Sequence, residues 1–128
     1  MSRNKNEKIY IAGHRGLVGS ALIRNFENAG FKNLVYQTSK ELDLRNQVAT
    51  NTFFQQEKPD IVVLSAAKAG GIMAHKKFPA DFIYENLMME SNVIHAAYQN
   101  GVKKLLFVAS ACVYPREASQ PLKEEYLN

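Results

Sequence analysis

Residues Gly13-His14-Arg15-Gly16-Leu17-Val18-Gly19 stand between an apolar run, Ile9-Tyr10-Ile11-Ala12, and an amphipathic stretch from Leu17 to Phe26. This predicts a strand, a tight turn and a helix. Each glycine has its own task. Gly13 lets the chain turn sharply out of the strand, Gly16 lets main chain approach a phosphate, and Gly19 lets the helix lie close to the sheet. The first N–H groups of such a helix face the same point and favour an anion there. Three spaced glycines alone are equally an ordinary tight connection. The strand before them and the helix after them direct the reading to a dinucleotide site.

The remainder of the chain repeats the alternation. Gly30 is a helix stop, Leu34-Val35-Tyr36 a second strand, and Arg45 to Gln56 a second helix. Pro59-Asp60 reads as a turn before a third strand, Ile61-Val62-Val63-Leu64, apolar at consecutive positions as strands covered on both faces are. After a loop at Lys68-Ala69-Gly70-Gly71, a long helix is expected from Pro79 to Gln99, then a fourth strand at Leu105-Leu106-Phe107-Val108-Ala109. Strands and helices alternating with right-handed crossovers give an α/β, Rossmann-like doubly wound parallel sheet, whose ligand sites lie beyond the carboxyl ends of the strands. From Tyr114 to Asn128 the sequence is turn-rich without a further strand, so the sheet is expected to stop after its fourth strand, mid-fold.

Composition narrows the function classes. A chain of 128 residues, 46% of them hydrophobic, fills one core, so one domain is expected, and a single cysteine excludes an internal disulfide framework. The start, Met1-Ser2-Arg3-Asn4-Lys5-Asn6-Glu7-Lys8, is polar, and no apolar stretch reaches the roughly 20 residues that cross a bilayer. A soluble cytoplasmic chain is expected, with no membrane insertion. The formal net charge of +4 is scattered along the sequence, which argues against a nucleic-acid partner and suits an anionic nucleotide.

The exit of the second strand bears on which dinucleotide fits. An acid about 20 residues past the glycine turn usually accepts from the ribose of NAD. Here that place reads Gln37-Thr38-Ser39-Lys40. Without a carboxylate to repel it, a 2′-phosphate is open to Arg15, with Ser39 and Lys40 beside it, so NADP is favoured. The alternative leaves Arg15 and Lys40 as solvated charges and turns Glu41 inward to the ribose. Asp43, in Leu42-Asp43-Leu44, is a candidate acceptor for the adenine amino group. His14 is read as part of the binding loop rather than as a base, and His95 falls mid-helix without a partner at metal-ligand spacing, so no metal site is expected.

Four segments then occur in one order: Gly13 to Gly19, Ala66-Ala67-Lys68-Ala69-Gly70-Gly71-Ile72, Pro79-Ala80-Asp81-Phe82-Ile83-Tyr84, and Ser110-Ala111-Cys112-Val113-Tyr114-Pro115. Together they resemble the first portion of the GDP-L-fucose synthases, a family of extended short-chain dehydrogenase/reductases. The resemblance implies that residues 1–128 form an incomplete NAD(P)-binding Rossmann domain with the substrate domain absent. It also implies an NADPH-dependent enzyme that epimerises GDP-4-keto-6-deoxy-D-mannose at two ring carbons and reduces its C4 ketone.

Carried over by position, Ser110 hydrogen-bonds the sugar ketone and Cys112 exchanges protons at the neighbouring carbons. Such a ketone acidifies its neighbouring C–H bonds, so a hydroxyl aimed at the oxygen and a thiol beside the carbon suit the chemistry. Cofactor contacts implied are Gly13, His14, Arg15, Gly16, Leu17, Val18, Gly19, Ser39, Lys40, Asp43, Leu44, Ala66, Ala67, Lys68 and Asn86. His75-Lys76-Lys77 is either a contact to the GDP phosphates or a solvated basic loop.

The departures have consequences. The family's proton donor, a tyrosine followed four places on by lysine, is expected beyond Asn128, together with a histidine acid/base and the sugar-binding domain. Ser39 stands where relatives often carry a basic residue, and Ala111 where they carry serine. The full reaction is therefore not expected of this chain alone. Its expected partners are a GDP-sugar and either a second copy, through the helix from Pro79 to Gln99, or a complementing carboxyl-terminal chain. The alternatives are a non-catalytic NADP-binding module or a piece of another nucleotide-sugar epimerase or dehydratase.

Overall fold

The first and third of the expected strands are sheathed on both sides because their side chains alternate between two apolar layers. In the computed structural model, which describes residues 4–127, β1 (Ile9–Ala12) sends Tyr10 and Ala12 to one face and Ile9 and Ile11 to the other, and all four are buried. Met1–Arg3 of the polar start and Asn128 lie outside the described residues. With β2 (Leu34–Val35), β3 (Ile61–Leu64) and β4 (Lys104–Phe107), β1 forms a parallel sheet of order β2-β1-β3-β4. Ile9 is in register with Leu34 on one side and with Ile61 on the other, and Ile61 with Lys104. The strand order thus reverses direction at β1, and an α/β sheet opens a crevice at such a switch point.

Helix α1 (Leu17–Asn28) covers one face, where Ile23 and Phe26 pack on Ile9, Ile11 and Phe31. Helices α2 (Gln47–Glu57) and α4 (Pro79–Gln99) cover the other, with Phe53, Phe54, Val93, Ala96 and Ala97 against Tyr10, Ala12, Val62 and Leu64. Helix α1 ends as Gly30 foretells. Gly30 takes φ +85°, its N–H donates to Glu27 O and that of Phe31 to Phe26 O, and the rings of Phe26 and Phe31 meet edge to face at 5.4 Å.

Several boundaries differ from the sequence reading. Strand β2 ends at Val35, one residue before Tyr36, and helix α2 runs one residue past Gln56, to Glu57. Helix α2 begins at Gln47 rather than Arg45, because the Asn46 side chain accepts from Ala49 N–H at 3.0 Å and caps the helix. Strand β4 begins at Lys104 and ends at Phe107, two residues early, although Val108 N–H still donates to Leu64 O. The stretch holding His75, Lys76 and Lys77 is not a loop. It is the last turn of a short helix, α3 (Ile72–Lys77), where cations favourably face the helix carbonyls, and His75 stacks on Phe82 at 4.0 Å. Beyond β4, the turn-rich tail carries 3₁₀ turns at Ala111–Val113 and Glu124–Tyr126. Strand β4 is an edge of the sheet, and its Leu106 and Phe107 are 50% and 41% exposed.

Candidate functional site

The glycine turn is built by close main-chain contact. Gly13 holds φ +83°, and a Cβ there would lie 2.6 Å from the Ala66 nitrogen; a Cβ on Gly19 would overlap the Gly13 carbonyl oxygen. Gly16 N–H donates to that same oxygen at 3.0 Å, and Gly16 is the N-cap of α1 without any side-chain hydrogen bond to the helix end. The first N–H groups of α1 therefore keep no side-chain partner, as an anion-binding helix end requires.

In front of this turn lies a cleft of about 480 Å³, a size within the usual range for small-molecule sites. It is framed by the loops that leave β1, β2 and β3 at their carboxyl ends: Gly13 to Gly16, Gln37 to Ser39 with residues 42–45, and Ser65 to Lys68. Tyr10 lines it from below, and Glu85 and Met89 of α4 from the side. Burial pushes the Tyr10 phenol well above its ordinary value, so the phenol stays neutral.

The β2 wall is fixed from beneath. Buried Asn92 donates to the carbonyls of Leu44 and Arg45 at 2.9 and 3.0 Å, and the Thr50 hydroxyl donates to Leu44 O at 3.3 Å. Above them Asp43 is gripped by Arg45, whose Nε and Nη2 donate to its two oxygens at 2.9 and 2.8 Å. The Arg45 hydrogen bond holds the Asp43 carboxyl below the usual range. Glu41, the alternative ribose partner, instead turns back on its own loop, where it accepts from Thr38 N–H and Oγ1 at 2.8 and 2.7 Å, and it is absent from the cleft lining. Those bonds lower its pKa, the Thr38 N–H chiefly.

The β3 wall is fixed by α4. Asn86 accepts from Lys68 N–H at 2.7 Å and donates to Lys68 O at 3.1 Å. Its neighbour Glu85 accepts from both the Lys68 ammonium and Arg45 Nη1, the latter at 2.7 Å. The hydrogen bond from Lys68 is the main reason its carboxyl titrates below the ordinary range.

Of the residues singled out in the sequence, Gly13, His14, Arg15, Gly16, Ser39, Asp43, Leu44, Ala66, Ala67 and Lys68 line this one cleft. His14 lies stacked on Tyr36, ring centroids 4.7 Å apart. Leu17, Val18, Gly19, Lys40 and Asn86 stand outside the lining; Gly19 packs beneath the turn and Asn86 spends both polar atoms on Lys68. Ser110 and Cys112 are exposed on the turn after β4, also outside the lining, with Ser110 Oγ accepting from Cys112 N–H at 3.1 Å. Tyr36 and Lys40 also stand four apart, yet on a strand exit, where that spacing does not align two side chains as a helix does.

Sequence reasoning missed Glu85, Asn92, Arg45 and Tyr10. Only one signal pointed to the helix pair: Glu85, Met89 and Asn92 follow the i, i+4, i+7 spacing of one helix face. Among the described residues no helix is long and apolar enough to cross a membrane, and no three His, Cys, Asp or Glu side chains are grouped to hold a metal ion.

The NAD dependent epimerase/dehydratase family model matches residues 9–128. The chain belongs to that family. Within it, GDP-L-fucose synthase 1 of Arabidopsis thaliana is 56% identical over 97% of this chain and 38% of its own length. GDP-L-fucose synthase of Escherichia coli (strain K12) is 53% identical over 94% of this chain and 38% of its own. Among solved structures, GDP-mannoheptose C4 reductase from Campylobacter jejuni, with NADP bound, superposes with a TM-score of 0.92 and is 52% identical over 98% of this chain and 40% of that one. The chain thus spans well under half the length of the epimerase/dehydratase relatives it matches.

Proposed function

We propose that this chain is the cofactor-binding part of an NADPH-dependent enzyme that epimerises and reduces GDP-4-keto-6-deoxy-D-mannose to GDP-L-fucose. The single observation that carries the cofactor reading is the main-chain cradle: Gly13 at positive φ against Ala66, beside the uncapped start of α1, within a family match over residues 9–128. Its donors suit a pyrophosphate, and side-chain bulk there would exclude one.

In this reading Arg15 and Ser39 receive a 2′-phosphate, and Asp43 and Leu44 border the adenine. Ala66, Ala67 and Lys68 run along the middle of the dinucleotide, with small side chains where bulk would block it. When bound, a nicotinamide cofactor supplies the hydride for reduction of a ketone. Of the proton chemistry, this chain supplies the part that falls to Ser110 and Cys112. Because Ser110 Oγ already accepts from Cys112 N–H, its hydroxyl proton is left to donate to the ketone oxygen, while the Cys112 thiol moves a proton at the adjacent carbon.

The test is a titration of the purified chain with NADPH and NADH, read by bound nicotinamide fluorescence and repeated with Arg15→Ala. Saturable binding that prefers NADPH in the native chain, with the preference lost in the variant, is expected. No binding of either overturns the cofactor reading.

A second reading, reduction at C4 of a GDP-heptose, draws on the Campylobacter jejuni reductase, which matches nearly as well as the fucose synthases. Adding in trans the remaining part of a fucose synthase and, separately, that of the heptose reductase, each with its own GDP-keto-sugar, separates the two by which pairing consumes NADPH. Restoration with neither favours a non-catalytic nucleotide-binding module.

A further inference from the structure

We propose that Glu85 is a positioning residue for the adenine end of the cleft, joining the loop after β3 to the segment ahead of α2 through Lys68 and Arg45. The inference rests on reading the cleft as a dinucleotide site. Asp43, Arg45, Glu85 and Lys68 form one chain of alternating charge, and all four line the cleft. The Arg45 guanidinium is shared in a fixed way: Nε and Nη2 fork onto Asp43, and Nη1 reaches Glu85 at 2.7 Å. The direction in which Asp43 presents its carboxylate is therefore set by Arg45, and that of Arg45 by Glu85. On the other side, α4 holds Lys68 twice, by its main chain through Asn86 and by its ammonium through Glu85.

Stability does not account for this arrangement. The four side chains are 23–46% exposed, and ion pairs so placed contribute little to folding. An ion pair of similar exposure, Lys8 to Glu57, lies at the opposite, amino-terminal end of the sheet and borders no part of the cleft. What distinguishes the Glu85 chain is its span from one wall of the cleft to the other.

The experiment measures dissociation constants of NADPH, NADH and ADP-ribose for the native chain, Glu85→Gln and Glu57→Gln, with thermal midpoints alongside. Loss of a charged hydrogen-bond partner is expected to weaken all three ligands about tenfold in Glu85→Gln, with an unchanged NADPH to NADH ratio and midpoint, and to leave Glu57→Gln as the native chain. Unchanged affinity, weakening confined to NADPH, or equal weakening in Glu57→Gln overturns the inference. Should Glu85→Gln not fold, Arg45→Lys carries the same expectation, since an ammonium keeps the charge but cannot fork between two carboxylates. A native chain that binds none of the three ligands overturns the cofactor reading itself and this inference with it.

Discussion

The side-chain amide of Asn86 meets both polar groups of the Lys68 main chain, accepting from its N–H at 2.7 Å and donating to its carbonyl at 3.1 Å. One residue of α4 thereby sets the path of the loop that leaves β3. Asn86→Ala leaves two main-chain groups unpaired in a half-buried place and is expected to cost about 1–3 kcal/mol, read as a lower urea midpoint. Asn86→Asp keeps the acceptor but sets a carboxylate against the Lys68 carbonyl, and is expected to do no better.

Gly13 and Gly101 separate two kinds of glycine requirement. Both hold positive φ, but a Cβ on Gly101 meets nothing within 4 Å, whereas one on Gly13 meets the main chain of Ser65 and Ala66. Gly101→Ala is expected to cost about 1 kcal/mol, from backbone strain alone. Gly13→Ala adds a collision with atoms that cannot rotate away, and a loss well above that figure is expected in the same denaturation measurement.

Acid should weaken the amino-terminal end of the sheet through Asp60. Its carboxylate accepts from Lys103 Nζ at 2.8 Å and from Lys8 N–H at 2.8 Å, and the Lys103 hydrogen bond leads in holding its pKa below the ordinary 3.8. The folded state thus binds its proton less readily than the unfolded chain. The stability this contributes is present above pH 3.8 and is lost as pH falls through the lower folded value. Asp60→Asn should flatten the fall of the urea midpoint over that window.

Alkali should act through Tyr10. Burial raises its phenol pKa above 10.0, so the unfolded chain releases the proton first, and stability is lost as pH climbs past that value. Tyr10→Phe is expected to remove this alkaline loss in urea titrations, while leaving the contacts of the ring with Phe53 and Phe54.

The parts of the fold legible in the sequence are those dictated locally. Apolar runs such as Ile61–Leu64 announce strands covered on two faces, and Pro79 marks the start of α4 because proline suits a first helical turn. Asn46 carried a readable cap signal that shifts the start of α2 by two residues. Helix α3 was not legible, since only six residues follow two glycines and no apolar period can be recognised over so short a span. The floor of the cleft was legible from Gly13 and Gly19 for the same local reason. Its walls were not: Asn92 reaches Leu44 across 48 positions and Arg45 reaches Glu85 across 40, contacts that exist only once α4 lies beside the segment ahead of α2.

Because Gly13, Gly16, Gly19 and Ala66 meet through main-chain atoms, the cradle has almost no side-chain vocabulary. Leu17 and Val18 point outward and are free to vary without altering its shape. Divergence in ligand preference among chains of this architecture must then be written elsewhere, on the rim from Gln37 to Arg45. There single substitutions change charge and reach while the main-chain floor keeps its shape.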